Sequence, residues 1–503
     1  MATSRRAFLE RAALGGLAIG GLGLLDRLRP VSAAEAKIDP ALVRLGDDIE
    51  PTVRLLEQTP RHKLLEEVAH RINQGLSYGQ LLTALLLAGV RNVQPRPGVG
   101  FKFHAVLVIN SAHLASLASP DNDRWLPIFW ALDRFKASQA ETQSTTGWHM
   151  APVDESKVPP PDKAQAAFSA AMDAWDEQAA DAAAAALARS CTRDQCFELF
   201  ARYGSRDFRD IGHKAIFVSH SFRLLDCIGW RHAETVLRSL AYALMKYDGQ
   251  NPAKSDQPAD RPGRQNAELA RKIRADWLDG KPDRAASSSL LKVFRQNSPE
   301  DACAAVADAL NRSVAPSSIS DALLCASGEL LMRQPGIATL HSVTSSNALH
   351  FAYQSAMEPG NRLMLLLQNT AFVCLFRQML NRNAREVIVD EFEATPTSAS
   401  GPDAVGEILA QISQDRMAAS RKTLAYLDAG GNPHDLMHAA RRLVFAKGND
   451  AHDYKFSSAV MEDFYTISPA LRNRYLAASC FYLPGSGAKD NPLVQRIRAA
   501  FAN

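Results

Sequence analysis

The 503-residue chain reads as all-α, a large helical assembly built from two related halves about a pseudo-twofold axis. Three observations predict this. Apolar residues recur at three- and four-residue spacing along most of the chain, extended-looking runs are few and short, and several anchor positions repeat about 240 residues apart.

The helices are predicted in order over 76–90, 164–189, 233–245, 267–278, 319–332, 363–380, 405–427 and 471–483, each with an apolar face at helical period. Ser77 and Ser320-Asp321 stand at two of the starts as capping residues. The pieces 105–109 and 215–218 are short enough to be buried helix as readily as strand. Surface loops are expected at 148–161, which ends in three prolines, at 249–263, and at 393–402, rich in Thr, Ser and Pro.

Residues 1–36 read as a twin-arginine signal peptide. Ser4-Arg5-Arg6-Ala7-Phe8-Leu9 carries the arginine pair followed by Phe-Leu, and a glycine-rich apolar stretch covers 12–25. That stretch is too short for a comfortable membrane span, and Ala34-Glu35-Ala36 offers a small-x-small cleavage pattern. Arg27 and Arg29 lie before the cut, where positive charge disfavours export of an unfolded chain. The expectation is a periplasmic or otherwise extracytoplasmic protein, exported folded by the twin-arginine machinery.

Cleavage after Ala36 removes five arginines against three acidic residues, so the net charge falls from +3 to +1. A nearly neutral surface without a basic, aromatic-interleaved run excludes nucleic acid and anionic membrane as obvious partners. No stretch of the mature chain has the 18 or more apolar residues of a span; the closest, 363–376, is interrupted by Gln368 and Asn369. The seven cysteines form no CxxC pair, and most lie on apolar helical faces as small buried hydrophobes.

The repeat defines the two halves, 37–262 and 263–503. Leu81-Leu82 corresponds to Leu323-Leu324; His104 and His113, nine apart, correspond to His341 and His350, also nine apart; Asp210, His213 and Lys214 correspond loosely to Asp450, His452 and Lys455. A period this long excludes a solenoid of short repeats.

Histidines concentrate at these repeated positions. Imidazole is the commonest transition-metal ligand and the usual general acid or base near neutrality. His104, His113, His341 and His350 are therefore candidate metal ligands, and His213, His452, Lys214 and Lys455 candidate catalytic groups. Nine residues is two and a half helical turns, so the members of each nine-residue pair lie on opposite sides of a continuous helix. Either the helix breaks between them or only one of each pair faces the site. His434 and His438 have the spacing of a zinc-protease helix, but Asp435 replaces the needed Glu and Pro433 makes this a helix start with surface histidines. Dinucleotide, P-loop, nucleophile-elbow and EF-hand patterns do not occur, so no flavin or NAD(P) fingerprint is found.

Phe103-His104, Gly212-His213 with Ile216, Leu340-His341-Ser-Val-Thr344 and the group Asp450, His452 and Lys455 resemble short signature positions of the questin oxidase-like family. The resemblance spans roughly residues 75–485. It implies a helical oxidoreductase of the Baeyer–Villiger type acting on polycyclic aromatic ketones, with its chemistry on these histidines.

The sequence thus leads to an exported oxidoreductase or metal-dependent enzyme for a small organic substrate, with a transition metal as candidate cofactor. The competing class is a non-catalytic helical scaffold or binding protein of the envelope whose histidines are core hydrogen-bonding groups.

Overall fold

The computed structural model describes residues 43, 45–95, 101–245 and 251–502; the predicted signal peptide lies outside them. Among the described residues the chain forms 22 α-helices, and the only β-type pairing is an isolated bridge between Lys281 and Val314. The all-α expectation holds.

The first run of helices comprises α1 (Glu50–Gln58), α2 (Arg61–Asn73), α3 (Tyr78–Asn92), α4 (His104–Leu117), α5 (Leu126–Thr145), α6 (Ala164–Ala174), α7 (Glu177–Ser190), α8 (Arg193–Gly204), α9 (His213–Ile228), α10 (Ala233–Leu244) and α11 (Arg261–Ala270). The second comprises α12 (Arg284–Gln296), α13 (Pro299–Asn311), α14 (Pro316–Arg333), α15 (Ile337–Ser355), α16 (Pro359–Gln378), α17 (Gly401–Ile412), α18 (Arg416–Asp428), α19 (Pro433–Lys447), α20 (Ala451–Asp463), α21 (Pro469–Ala478) and α22 (Leu493–Ala502). The boundary expected after residue 262 falls just inside α11.

Neighbours recur in the same order along both runs. α3 packs on α4 as α14 packs on α15, α4 on α5 as α15 on α16, and α7 on both α6 and α10 as α18 on both α17 and α21. The final helix of each run crosses over: α11 lies against α13 and α16, and α22 against α2 and α5. One continuous apolar core joins both runs. At its centre α4, α9, α15 and α20 meet, with α9 on α15, α20 on α4, α15 on α20 and α9 on α4.

Helix boundaries differ from the periodicity reading where local capping outweighs the apolar pattern. The expected helix 164–189 is two: Trp175 takes a left-handed conformation (φ 63°), and the Asp176 side chain accepts from the Ala179 amide to start α7. Asp415 splits 405–427 in the same way, accepting from the amides of Met417 and Ala418. The helix expected over 267–278 ends at Ala270. Ser320 lies inside α14, which opens at Pro316, whereas Ser77 caps α3 with a full capping box as read. The pieces 105–109 and 215–218 are buried helix. No helix among the described residues is long and apolar enough to cross a membrane.

Candidate metal centre

Each central helix delivers one histidine at or near its amino end. His104 is the first residue of α4, directly after a short 3-10 turn in which Phe103 packs edge-on to Phe217. His452 is the second residue of α20, which Asp450 starts with a capping box. His341 lies one turn inside α15.

His213 opens α9 and needs the most elaborate support. The three residues before it are all left-handed: Asp210 (φ 56°), Ile211 (φ 47°) and Gly212 (φ 80°). Such a conformation at a β-branched residue costs on the order of 1–3 kcal/mol and persists only where the surroundings enforce it. Here they do. Arg209 forms a buried two-bonded pair with Asp260 (2.8 and 2.7 Å), and Lys214 a fully buried pair with Asp207 (2.8 and 2.9 Å). The outcome is a carbonyl, that of Asp210, aimed at His213 Nδ1 at 2.6 Å. Gly212 is required twice over, since a Cβ there would also lie 2.5 Å from the Ser345 Cβ.

His104, His213, His341 and His452 converge as a buried tetrad, with one potential ligand atom from each lying within 4.8 Å of the others. Their ring centroids trace a quadrilateral with edges of 4.9 Å (His104 to His213), 4.3 Å (His213 to His341), 4.9 Å (His341 to His452) and 4.5 Å (His452 to His104), and a His104–His341 diagonal of 6.2 Å.

The outer hydrogen bonds assign the tautomers. Nδ1 of His213 and of His341 each face a backbone carbonyl, those of Asp210 and Ile337 (2.7 Å for the latter), and must carry the proton. Nδ1 of His452 donates to Asp450 Oδ1 at 2.7 Å. This hydrogen bond holds Asp450 well below the usual carboxylate range. His213 Nε2 accepts a 3.1 Å hydrogen bond from His104 Nε2, while Nε2 of His341 and of His452 are buried without a hydrogen-bond partner. Burial, reinforced by His213, Lys455 and His452, drives the pKa of His341 far below that of a free imidazole, keeping it neutral. Neutral imidazoles with Nδ1 fixed by carbonyl or carboxylate and Nε2 directed inward are what a transition metal requires.

The remaining expected residues divide. His113 and His350 are not in the tetrad, because α4 and α15 run unbroken through both nine-residue pairs and turn these side chains to the opposite faces. His113 is buried against Tyr78 Oη (3.1 Å), with its pKa pushed down to about 4 by burial, and His350 bonds Gln354 on its own helix (2.8 Å). Lys214 is not poised to stabilise developing charge: Asp207 holds its ammonium in the buried pair that shapes the His213 loop. Lys455 acts electrostatically on the centre, through His341. It follows His452 by three residues on α20, is 2% exposed, and its ammonium has no hydrogen-bond partner. Burial pushes it down to about 7, with Asp450 acting in the opposite direction.

The sequence reading gave no role to Asp207, Asp260, the Asp450 carboxylate as a histidine partner, or the carbonyls of Asp210 and Ile337. Only Asp450 left a signal, in the Asp-x-His spacing that caps a helix and reaches the ring together. His434 and His438 are exposed on α19, as read, and all seven cysteines are free. No family model matches the chain, and no curated protein or solved structure is similar to it.

Proposed function

We propose that the protein is an exported metalloenzyme in which a transition metal held by His104, His213, His341 and His452 carries out oxidation chemistry on a small organic molecule. The observation that carries this reading is the convergence of four buried imidazoles, one potential ligand atom from each within 4.8 Å of the others, with Nδ1 of His213, His341 and His452 bonded outward and Nε2 of His341 and His452 unpartnered. Each unpaired buried nitrogen costs about 1–3 kcal/mol, an expense that a bound metal removes for all of them at once.

The ligand type narrows the metal class. Imidazole suits copper, iron, nickel and zinc, and the oxidation chemistry that the resemblance implies selects a redox-active ion among them. Folded export fits a protein that must acquire its metal before translocation.

Two further points support the reading. The four short stretches that resemble questin oxidase-like proteins each bring one histidine to the tetrad. Two halves related by a pseudo-twofold axis would account for the layout of the tetrad: His104 and His341 lie across the diagonal, and the two edges within a half are equal at 4.9 Å while those between halves are 4.3 and 4.5 Å. Matching helix neighbours and the reciprocal crossing of α11 and α22 favour the same pseudo-twofold.

The test is elemental analysis with absorption and electron paramagnetic resonance spectra of protein purified from a host with working twin-arginine export. About one redox metal per chain, lost in His341→Ala, is the expected result. A folded, colourless, metal-free protein that takes up no copper, iron or nickel would refute the reading.

A further inference from the structure

The surroundings of the tetrad are electropositive beyond what a metal site of neutral ligands needs. His104 and His213 are the first residues of their helices and His452 the second, so the amino ends of α4, α9 and α20 converge on the site. Each brings partial positive charge from its first-turn amides. Lys455, fully enclosed one turn further along α20, adds an ammonium with no hydrogen-bond partner. Its charge reaches His341 and also His220, whose Nδ1 is bonded to the Leu107 carbonyl at 2.7 Å on the other side.

Nearby negative charge is already engaged. Asp450 receives the His452 proton at 2.7 Å, Asp207 holds Lys214 and Asp260 holds Arg209. The imidazoles contribute none. A divalent ion in this tetrad would thus sit in a field of helix amino ends and a lysine, a combination that low-polarity surroundings tolerate only with an anion present.

We propose that the centre binds a small anion, donated through one atom to the metal and held from the α20 side by the Lys455 ammonium, so that the substrate or co-ligand enters in anionic form. The class is a singly charged donor such as a carboxylate, an enolate or phenolate oxygen, or reduced oxygen. This rests on the metal reading above, and Lys455 is in it a ligand-binding residue rather than a metal ligand. Helix amino ends favour anions generally; the unpartnered buried ammonium singles out this one.

The experiment uses the full mature chain loaded with Cu(II) and titrated with sodium azide, followed by the azide-to-copper absorption band. Saturable binding is expected, weakened at least tenfold in Lys455→Met at unchanged copper content, with Lys455→Arg, which retains the charge, staying close to the parent. Should Lys455→Met fail to fold, Lys455→Gln replaces it. Copper-loaded parent protein that binds no azide, or a Lys455→Met protein that binds it equally well, overturns the anion site while leaving the metal centre standing. Failure to hold copper in a tetrad-dependent manner is a different result, which removes the metal centre and the anion site together.

Discussion

Nε2 of His104 and Nε2 of His213 lie 3.1 Å apart although 109 residues separate them in the chain. The two rings share a hydrogen bond at this spacing. Metal–nitrogen bonds of about 2.0–2.1 Å put ligand atoms roughly 3 Å or a little more apart, so a metal would take over this contact with little movement of either helix.

Alanine at any of the four tetrad histidines should abolish stoichiometric metal binding, whereas alanine at His113 or His350 should leave it intact. Metal-dependent thermal shifts provide the measure: at ~1,000 times the dissociation constant a native-state ligand contributes about 4 kcal/mol, and this gain should vanish in the tetrad variants alone. Equal shifts in His341→Ala and parent would place the metal elsewhere.

Gly212→Ala should destabilise the protein by about 2–4 kcal/mol, since it combines a left-handed φ of 80° with a Cβ 2.5 Å from that of Ser345. It should also displace the Asp210 carbonyl from His213 and weaken metal binding. Urea unfolding of the metal-free protein separates the two effects. A change below 0.5 kcal/mol would mean that the loop relaxes freely.

Lys214→Met should cost about 3–5 kcal/mol by leaving Asp207 buried and unpaired, while the double change Lys214→Met with Asp207→Leu should recover much of that loss. A lysine acting on substrate would behave otherwise, losing activity without losing stability. Denaturant midpoints of the two variants decide between these roles.

Acid should destabilise the metal-free protein between pH 6.5 and 4, partly through His113. Burial holds its folded pKa at about 4, below the 6.5 of a free imidazole, so the unfolded chain binds the extra proton in this window. The contribution is fully present above pH 6.5, falls as the pH drops, and amounts to about 3 kcal/mol in all. His113→Gln should flatten the pH dependence of stability across this window relative to the parent. Identical slopes in both proteins would show that His113 titrates alike in the folded and unfolded chains.

Replacing Arg5 and Arg6 by lysine should leave precursor in the cytoplasm, detected as an uncleaved band in fractionated cells. Normal export in a strain lacking the twin-arginine pathway would overturn the targeting assignment.

The helical class and a group of histidines were legible in the sequence, for a physical reason in each case. Apolar period follows from the helix itself, and the repeat picks out six histidines, His104, His113, His213, His341, His350 and His452. Tertiary structure decided which histidines share a centre. His113 and His350 repeat as faithfully as their partners, and only the unbroken course of α4 and α15 turns them away. It also decided the surroundings of the two lysines: Lys214 is paired with Asp207, whereas Lys455 is buried with its Nζ unpartnered and acts on His341. Periodicity fixes which way a side chain points from its own helix, but partners brought from elsewhere in the chain fix what its charge is free to do.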